Sequence, residues 1–154
     1  MKNFIVKPVW ALILTLSTAF LSFDERPGGE NFVIYLNDKL VIQHYVGFDK
    51  DLKLLNLSNA SASDIIKIHY NHCGKIGMRR KLTVTDAEKQ KLKEWTFDNV
   101  QENSSPYMTL KVKDISSLSK DDQALTLKYS SQELPDGKLL VRVSLGSNAR
   151  AALD

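Results

Sequence analysis

The sequence predicts an all-β protein, and three observations carry that reading. Apolar and polar residues alternate over most of the chain, short turn signals separate the alternating runs, and only one stretch has a helical rhythm. Alternation with a period of two places one face of a strand against a core and the other in water, the pattern of antiparallel sheets. Eight or nine such strands joined by turns form a sandwich or a barrel.

The runs follow one another in order. Phe32–Leu36 and Lys39–Val46 flank Asn37-Asp38, a two-residue link suited to a tight hairpin. Leu52–Leu57, a polar loop over Ser58–Ser63 and Ile65–His72 come next. Leu82 and Val84 alternate with Lys81, Thr83 and Thr85; Met108, Leu110 and Val112 alternate with Thr109, Lys111 and Lys113. Leu125, Leu127 and Tyr129 form a third face, and Leu139, Val141, Val143 and Leu145 a fourth, broken only by Leu140. Gly74 and Gly77, Asp86–Glu88, Asn103–Pro106, Lys120–Asp122 and Pro135–Gly137 mark the turns between them. Thr85–Trp95 has good helix formers and a Thr85 to Glu88 spacing that fits a capping box. Trp95 and Phe97 share a strand face, which favours a hairpin there.

The ends differ from this middle. Met1–Lys7 carries two positive charges, and the 16 residues of Pro8–Phe23 carry none. An apolar run of that length reaches about 24 Å as a helix, short of a hydrocarbon core of about 30 Å. A basic start before a short apolar run reads as a signal peptide over residues 1–23. A linker over residues 24–31, a sandwich domain over 32–145 and a frayed tail over 146–154 complete the organisation. The chain is thereby expected to be secreted or periplasmic.

Charge and cysteine content narrow the function. The formal charge of the 154 residues is +3, and removal of Lys2 and Lys7 with the leader leaves +1. Basic residues scattered among acidic ones give no nucleic-acid surface. Cys73 is the single cysteine, so no internal disulfide forms and Cys73 is buried, free or paired with another chain.

Two stretches carry a resemblance. Lys81–Phe97 (KLTVTDAEKQKLKEWTF) resembles the strand–turn–strand hairpin of immunoglobulin-like domains in exported bacterial proteins. Glu133–Val143 (ELPDGKLLVRV) resembles the turn by which such domains enter a late core strand. With the leader, the chain resembles small uncharacterised secreted immunoglobulin-like β-sandwich proteins of the Bacteroidota. The resemblance implies an antiparallel sandwich and no activity. The pair of bridged cysteines around a Trp that marks antibody domains is absent.

Several residues invite chemistry. His69, His72 and Cys73, with His44 as a fourth candidate, are zinc-type ligands. On a strand, His69 and His72 diverge, and His69 and Cys73 stand about 13 Å apart at roughly 3.3 Å per residue. His72 is therefore expected to pack and His69 to be solvated, with no metal or cofactor. Lys75, Arg79 and Arg80 around the Gly74–Gly77 loop would favour a Cys73 thiolate, but no positioned base is evident. Arg79-Arg80-Lys81 either docks an acidic partner or solvates a sheet edge. Trp95 and the five tyrosines, Tyr35, Tyr45, Tyr70, Tyr107 and Tyr129, could stack on a sugar. Trp95, Phe97 and Tyr129 fit a sandwich core, whereas Tyr45 and Tyr107 fall on polar faces and are the better surface candidates. No nucleophile elbow, zinc-protease helix motif, phosphate loop or calcium loop occurs.

These features point to a non-catalytic binding or structural module that meets another envelope or extracellular protein. Its candidate surface is Lys75, Arg79, Arg80, Tyr45 and Tyr107. A glycan-binding domain is the alternative, and a metal-binding or enzymatic domain a more distant one. If the leader is cleaved, the protein recovered from its host begins between Phe20 and Asp24 on N-terminal sequencing. Recovery of an intact Met1 form from membranes would refute cleavage.

Overall fold

The computed structural model describes residues 29–47, 51–102, 104–119 and 123–146. The signal peptide expected over residues 1–23, most of the linker, and the tail beyond Gly146 lie outside the described residues. Within them no helix is long and apolar enough to cross a membrane. The fold is all-β, with ten strands among the described residues arranged in two five-stranded sheets.

The first sheet contains β1 (Asn31–Leu36), β2 (Lys39–Tyr45), β4 (Ile65–His72), β5 (Lys75–Ile76) and β8 (Met108–Lys111). The second contains β3 (Lys53–Asn56), β6 (Lys81–Thr85), β7 (Lys91–Thr96), β9 (Leu125–Ser130) and β10 (Lys138–Ser144). β2, β1 and β4 lie side by side, and the far edge of β4 is shared. Ile65–Ile68 pair with β8, while Asn71 and His72 pair with β5. The second sheet runs β3-β10-β9-β6-β7 and is mixed, because β3 lies parallel to β10.

Alternation explains the core. Phe32 and Ile34, Ile66, Ile68 and Tyr70, and Met108 and Leu110 face inward from the first sheet. Leu82 and Val84, Leu125, Leu127 and Tyr129, and Val141 and Val143 meet them from the second, all in one hydrophobic cluster. Trp95 and Phe97 pack against its margin. Asn37 and Asp38 both have positive φ (48° and 66°), the backbone of a two-residue hairpin matched to strand twist. The Thr85–Trp95 stretch is the β6–β7 hairpin and not a helix.

The structure corrects several expectations. β1 begins at Asn31, inside the expected linker. The strand count is ten, because the Gly74–Gly77 loop contains the short β5, reached through a turn at Cys73 (φ 50°) and Gly74 (φ 89°). Val112 does not extend β8. The buried i, i+3 pair Val112 and Ile115 turns the chain into a helical segment, α1 (Val112–Ser116), and Asp114 Oδ2 accepts the Lys111 N–H at 3.2 Å. The break at Leu140 is a β-bulge between Leu139 and Val141, which turns Leu140 inward beside Val141 and leaves Leu139 49% exposed.

That bulge separates two neighbouring leucines. Leu140→Asp should prevent stable folding, since an unpaired buried charge costs several kcal/mol against a total of about 5–15. Leu139→Asp should move the denaturation midpoint by less than about 0.5 kcal/mol. Equal effects in a urea titration would place the bulge elsewhere.

Candidate functional site

The expected interaction residues separate in the fold. Lys75 and Arg79 are exposed near β5, and Arg79 has positive φ (51°) with its N–H donated to Asn99 Oδ1 at 2.7 Å. Arg80 is not a surface charge: it is 4% exposed. Its guanidinium donates to the carbonyls of Pro106 (2.6 Å) and Asp98 (2.8 Å), while Nε is buried without a partner. The physical reason is register, since Arg80 shares the inward parity of Leu82 and Val84.

Tyr45 and Tyr107 also stand apart. Tyr45 lies at the end of β2, 43% exposed, with its hydroxyl accepting from Gln43 at 3.0 Å. Tyr107 is half-buried, edge-on to Tyr35 (5.7 Å between ring centres) and near His69 (5.8 Å). Burial and the neighbouring Tyr35 push its hydroxyl above the usual tyrosine pKa. Three strand spacings separate the Tyr45 and Tyr107 positions, about 14 Å at 4.8 Å each, so the two rings form no shared platform.

The four zinc-type ligands do not converge. His44 packs on Phe32 (5.2 Å), Cys73 is exposed at the turn, and His69 and His72 face opposite sides of β4. His69 is not solvated as expected. Its Nε2 is buried without a partner, and burial together with the Arg80 charge lowers its pKa. Among the described residues no group of three or more His, Cys, Asp or Glu is placed to hold a metal.

A polar cluster absent from the sequence reading lies where the two sheets meet. His72 Nδ1 stands 3.1 Å from Glu30 Oε1, and its Nε2 stands 3.0 Å from the Tyr129 hydroxyl and 3.3 Å from Ser131 Oγ. Tyr70 donates to Glu30 Oε2 at 3.0 Å, and its ring stacks on Tyr129 with centres 4.3 Å apart. Burial first, then the hydrogen bond to Glu30, raises the Tyr70 pKa far above its ordinary value. Because a carboxylate only accepts, Nδ1 of His72 is the donor to Glu30, and a neutral ring leaves Nε2 as an acceptor for hydroxyl hydrogens. Gly77 closes the cluster from β5. A Cβ there would lie 2.5 Å from the Tyr129 hydroxyl and 2.8 Å from His72 Nε2.

Serine, histidine and carboxylate in this order are the parts of an acyl-transfer site. Here each part has structural partners. Ser131 is 6% exposed, and His72 Nε2 is shared with Tyr129. The backbone donors that would hold an oxyanion are occupied: Ser131 N–H by Leu134 O, Gln132 N–H by Met78 O, and Met78 N–H by the Glu133 carboxylate. Burial raises the Glu133 pKa, but the Met78 N–H, Ser131 and His72 outweigh it and leave the carboxyl below its usual value. The arrangement is a clasp between sheets.

Sequence reasoning missed Glu30 because it lies in a composition that reads as linker, and Ser131 because nothing distinguishes it locally. Gly77 was the available signal, since an isolated glycine beside a strand marks a close approach. No protein-family model matches the chain, and no curated protein matches it.

The clasp makes a stability prediction. His72→Ala should cost about 2–3 kcal/mol by removing the imidazole that joins Glu30 Oε1 to the Tyr129 hydroxyl, and Gly77→Ala about 1–3 kcal/mol by overpacking. Ser131→Ala should cost less than either in chemical denaturation, and should not alter hydrolysis of p-nitrophenyl acetate. Loss of hydrolysis in the serine variant alone would mean that the cluster is catalytic.

Proposed function

We propose that this protein is a non-catalytic binding module of the periplasm or cell exterior, built as an immunoglobulin-like sandwich and exported by a cleaved signal peptide. The two sheets around one core, the β6–β7 hairpin and the structural commitment of the His72 cluster support this reading. The observation that carries it is the contrast between two sheet edges.

β7 ends the second sheet and is lined with Lys91, Lys93 and Glu94, all exposed, and charges of this kind deter an added strand. β2 ends the first sheet, and after Lys39 its residues Leu40–Tyr45 carry no formal charge. Leu40, Val41 and Tyr45 on this edge are 45%, 40% and 43% exposed. The register shift between Ile34 and Tyr35 turns Leu40 and Val41 outward while Ile42 stays buried. The occupant that fits is an extended, largely apolar segment of an envelope or extracellular protein, added as a further strand. Backbone hydrogen bonds would supply much of its affinity, so no distinctive side chain is needed.

A glycan-binding reading rests on a different observation, the half-buried Tyr35, Tyr107 and His69 rings on the outer face of the first sheet. The two readings part in one experiment. A photo-crosslinking residue at position 41 should give a discrete adduct with an envelope protein in the host, and one at position 93 should not. Leu40→Lys with Val41→Lys should abolish the adduct while changing stability by less than about 1 kcal/mol. If β2 gives no adduct, and Tyr35→Ala or Tyr107→Ala removes retention on a polysaccharide matrix, the glycan reading replaces this one.

A further inference from the structure

Where the chain leaves β7 for β8 it passes from one sheet to the other, and a cavity of about 320 Å³ lies against residues 97–101, 104, 105 and 107 of that crossover. Arg80, Asp98, Asn99, Gln101, Ser104 and Tyr107 are among the residues that line it. We propose that this cavity is a binding site for a small carboxylate ligand, with Arg80 as its counter-charge. The site shares no residue with the β2 edge and does not depend on what that edge binds.

The charge balance around Arg80 carries the inference. The side chain is buried to 4% exposure, yet its two hydrogen-bonded acceptors are neutral backbone carbonyls. Among the described residues no carboxylate forms an ion pair with it, and its Nε–H has no acceptor. A guanidinium always keeps its charge, and a buried charge is favourable only when paired or well solvated. The titratable groups whose charges act on it or respond to it, Tyr129 and His69, supply no negative charge near neutral pH. A cation left in this state beside a cavity is a ready receptor for an anion.

The walls narrow the class. Asn99 Oδ1 accepts the Arg79 N–H, which orients the Asn99 amide and leaves its nitrogen as a donor. Ser104 is committed to Gln101, taking its N–H at 2.8 Å and donating to its carbonyl at 2.9 Å. Phe97 and Tyr107 add aromatic surface to this polar set. One guanidinium balances one negative charge, and Asp98, a lining residue with a formal negative charge, opposes a second. A monoanionic carboxylate with a small apolar body fits these walls, whereas a phosphate dianion leaves a charge unmatched.

The test uses the full-length protein labelled with nitrogen-15, with the Arg80 Nε–H resonance as reporter. Benzoate should shift that resonance to saturation, and the neutral isostere benzamide at equal concentration should leave it unmoved. Arg80→Lys should weaken benzoate binding by about tenfold or more, since the planar donor pair is lost, and Asp98→Asn should strengthen it. Should the lysine variant fail to fold, Asn99→Ala is the second probe, with a several-fold loss expected. Equal binding of benzamide, an unmoved Arg80 resonance while other signals shift, or tighter binding of phenyl phosphate than of benzoate would each overturn the assignment.

Discussion

The two sheets are held in register at one end by a single imidazole. His72 is the last residue of β4, and it joins Glu30 on the approach to β1 to Tyr129 of β9 and to Ser131 just beyond. Apolar packing alone tolerates sliding of one sheet over another, because the hydrophobic effect has no direction. A buried hydrogen-bonded array has direction and a high cost when broken. The stacked rings of Tyr70 and Tyr129, the glycine at position 77 and the β4–β5 turn all follow from the space this array requires.

Arg80 does for the crossover what His72 does for the sheets. A connection from residue 97 to 107 contributes many backbone carbonyls and few apolar side chains, so hydrophobic burial cannot hold it in place. The guanidinium clamps both of its ends, at Asp98 and at Pro106. Among the described residues the same buried cation that fixes this segment has no neutralising carboxylate, and a structural need has created an electrostatic opportunity.

The regular part of the fold was legible because it depends on local period. Alternation placed Leu82, Val84, Leu125, Leu127, Tyr129, Val141 and Val143 correctly, and Asn37-Asp38 gave the tight turn. What escaped depends on register shifts or on distant partners. The bulge between Leu139 and Val141 turns Leu139 outward and Leu140 inward against simple alternation, and α1 begins where the apolar spacing changes from two to three. The inward position of Arg80 was within reach, two residues before Leu82 on the same face, but the adjacent charges of Arg79 and Lys81 suggested a solvated run. Glu30 and Ser131 acquire meaning only once β1 and β9 are brought to His72, which no local pattern encodes.

The parallel pairing of β3 with β10 has a kinetic side. Lys53 lies opposite Val141, so β3, at one edge of the second sheet, meets its one ladder partner among the described residues across most of the domain. During synthesis β3 emerges early and β10 follows every other strand, leaving β3 without its neighbour until then. Closing so long a loop is entropically costly and tends to slow folding. Such a chain lingers as an open polymer before it locks, and the domain becomes rigid only once its last strand has arrived.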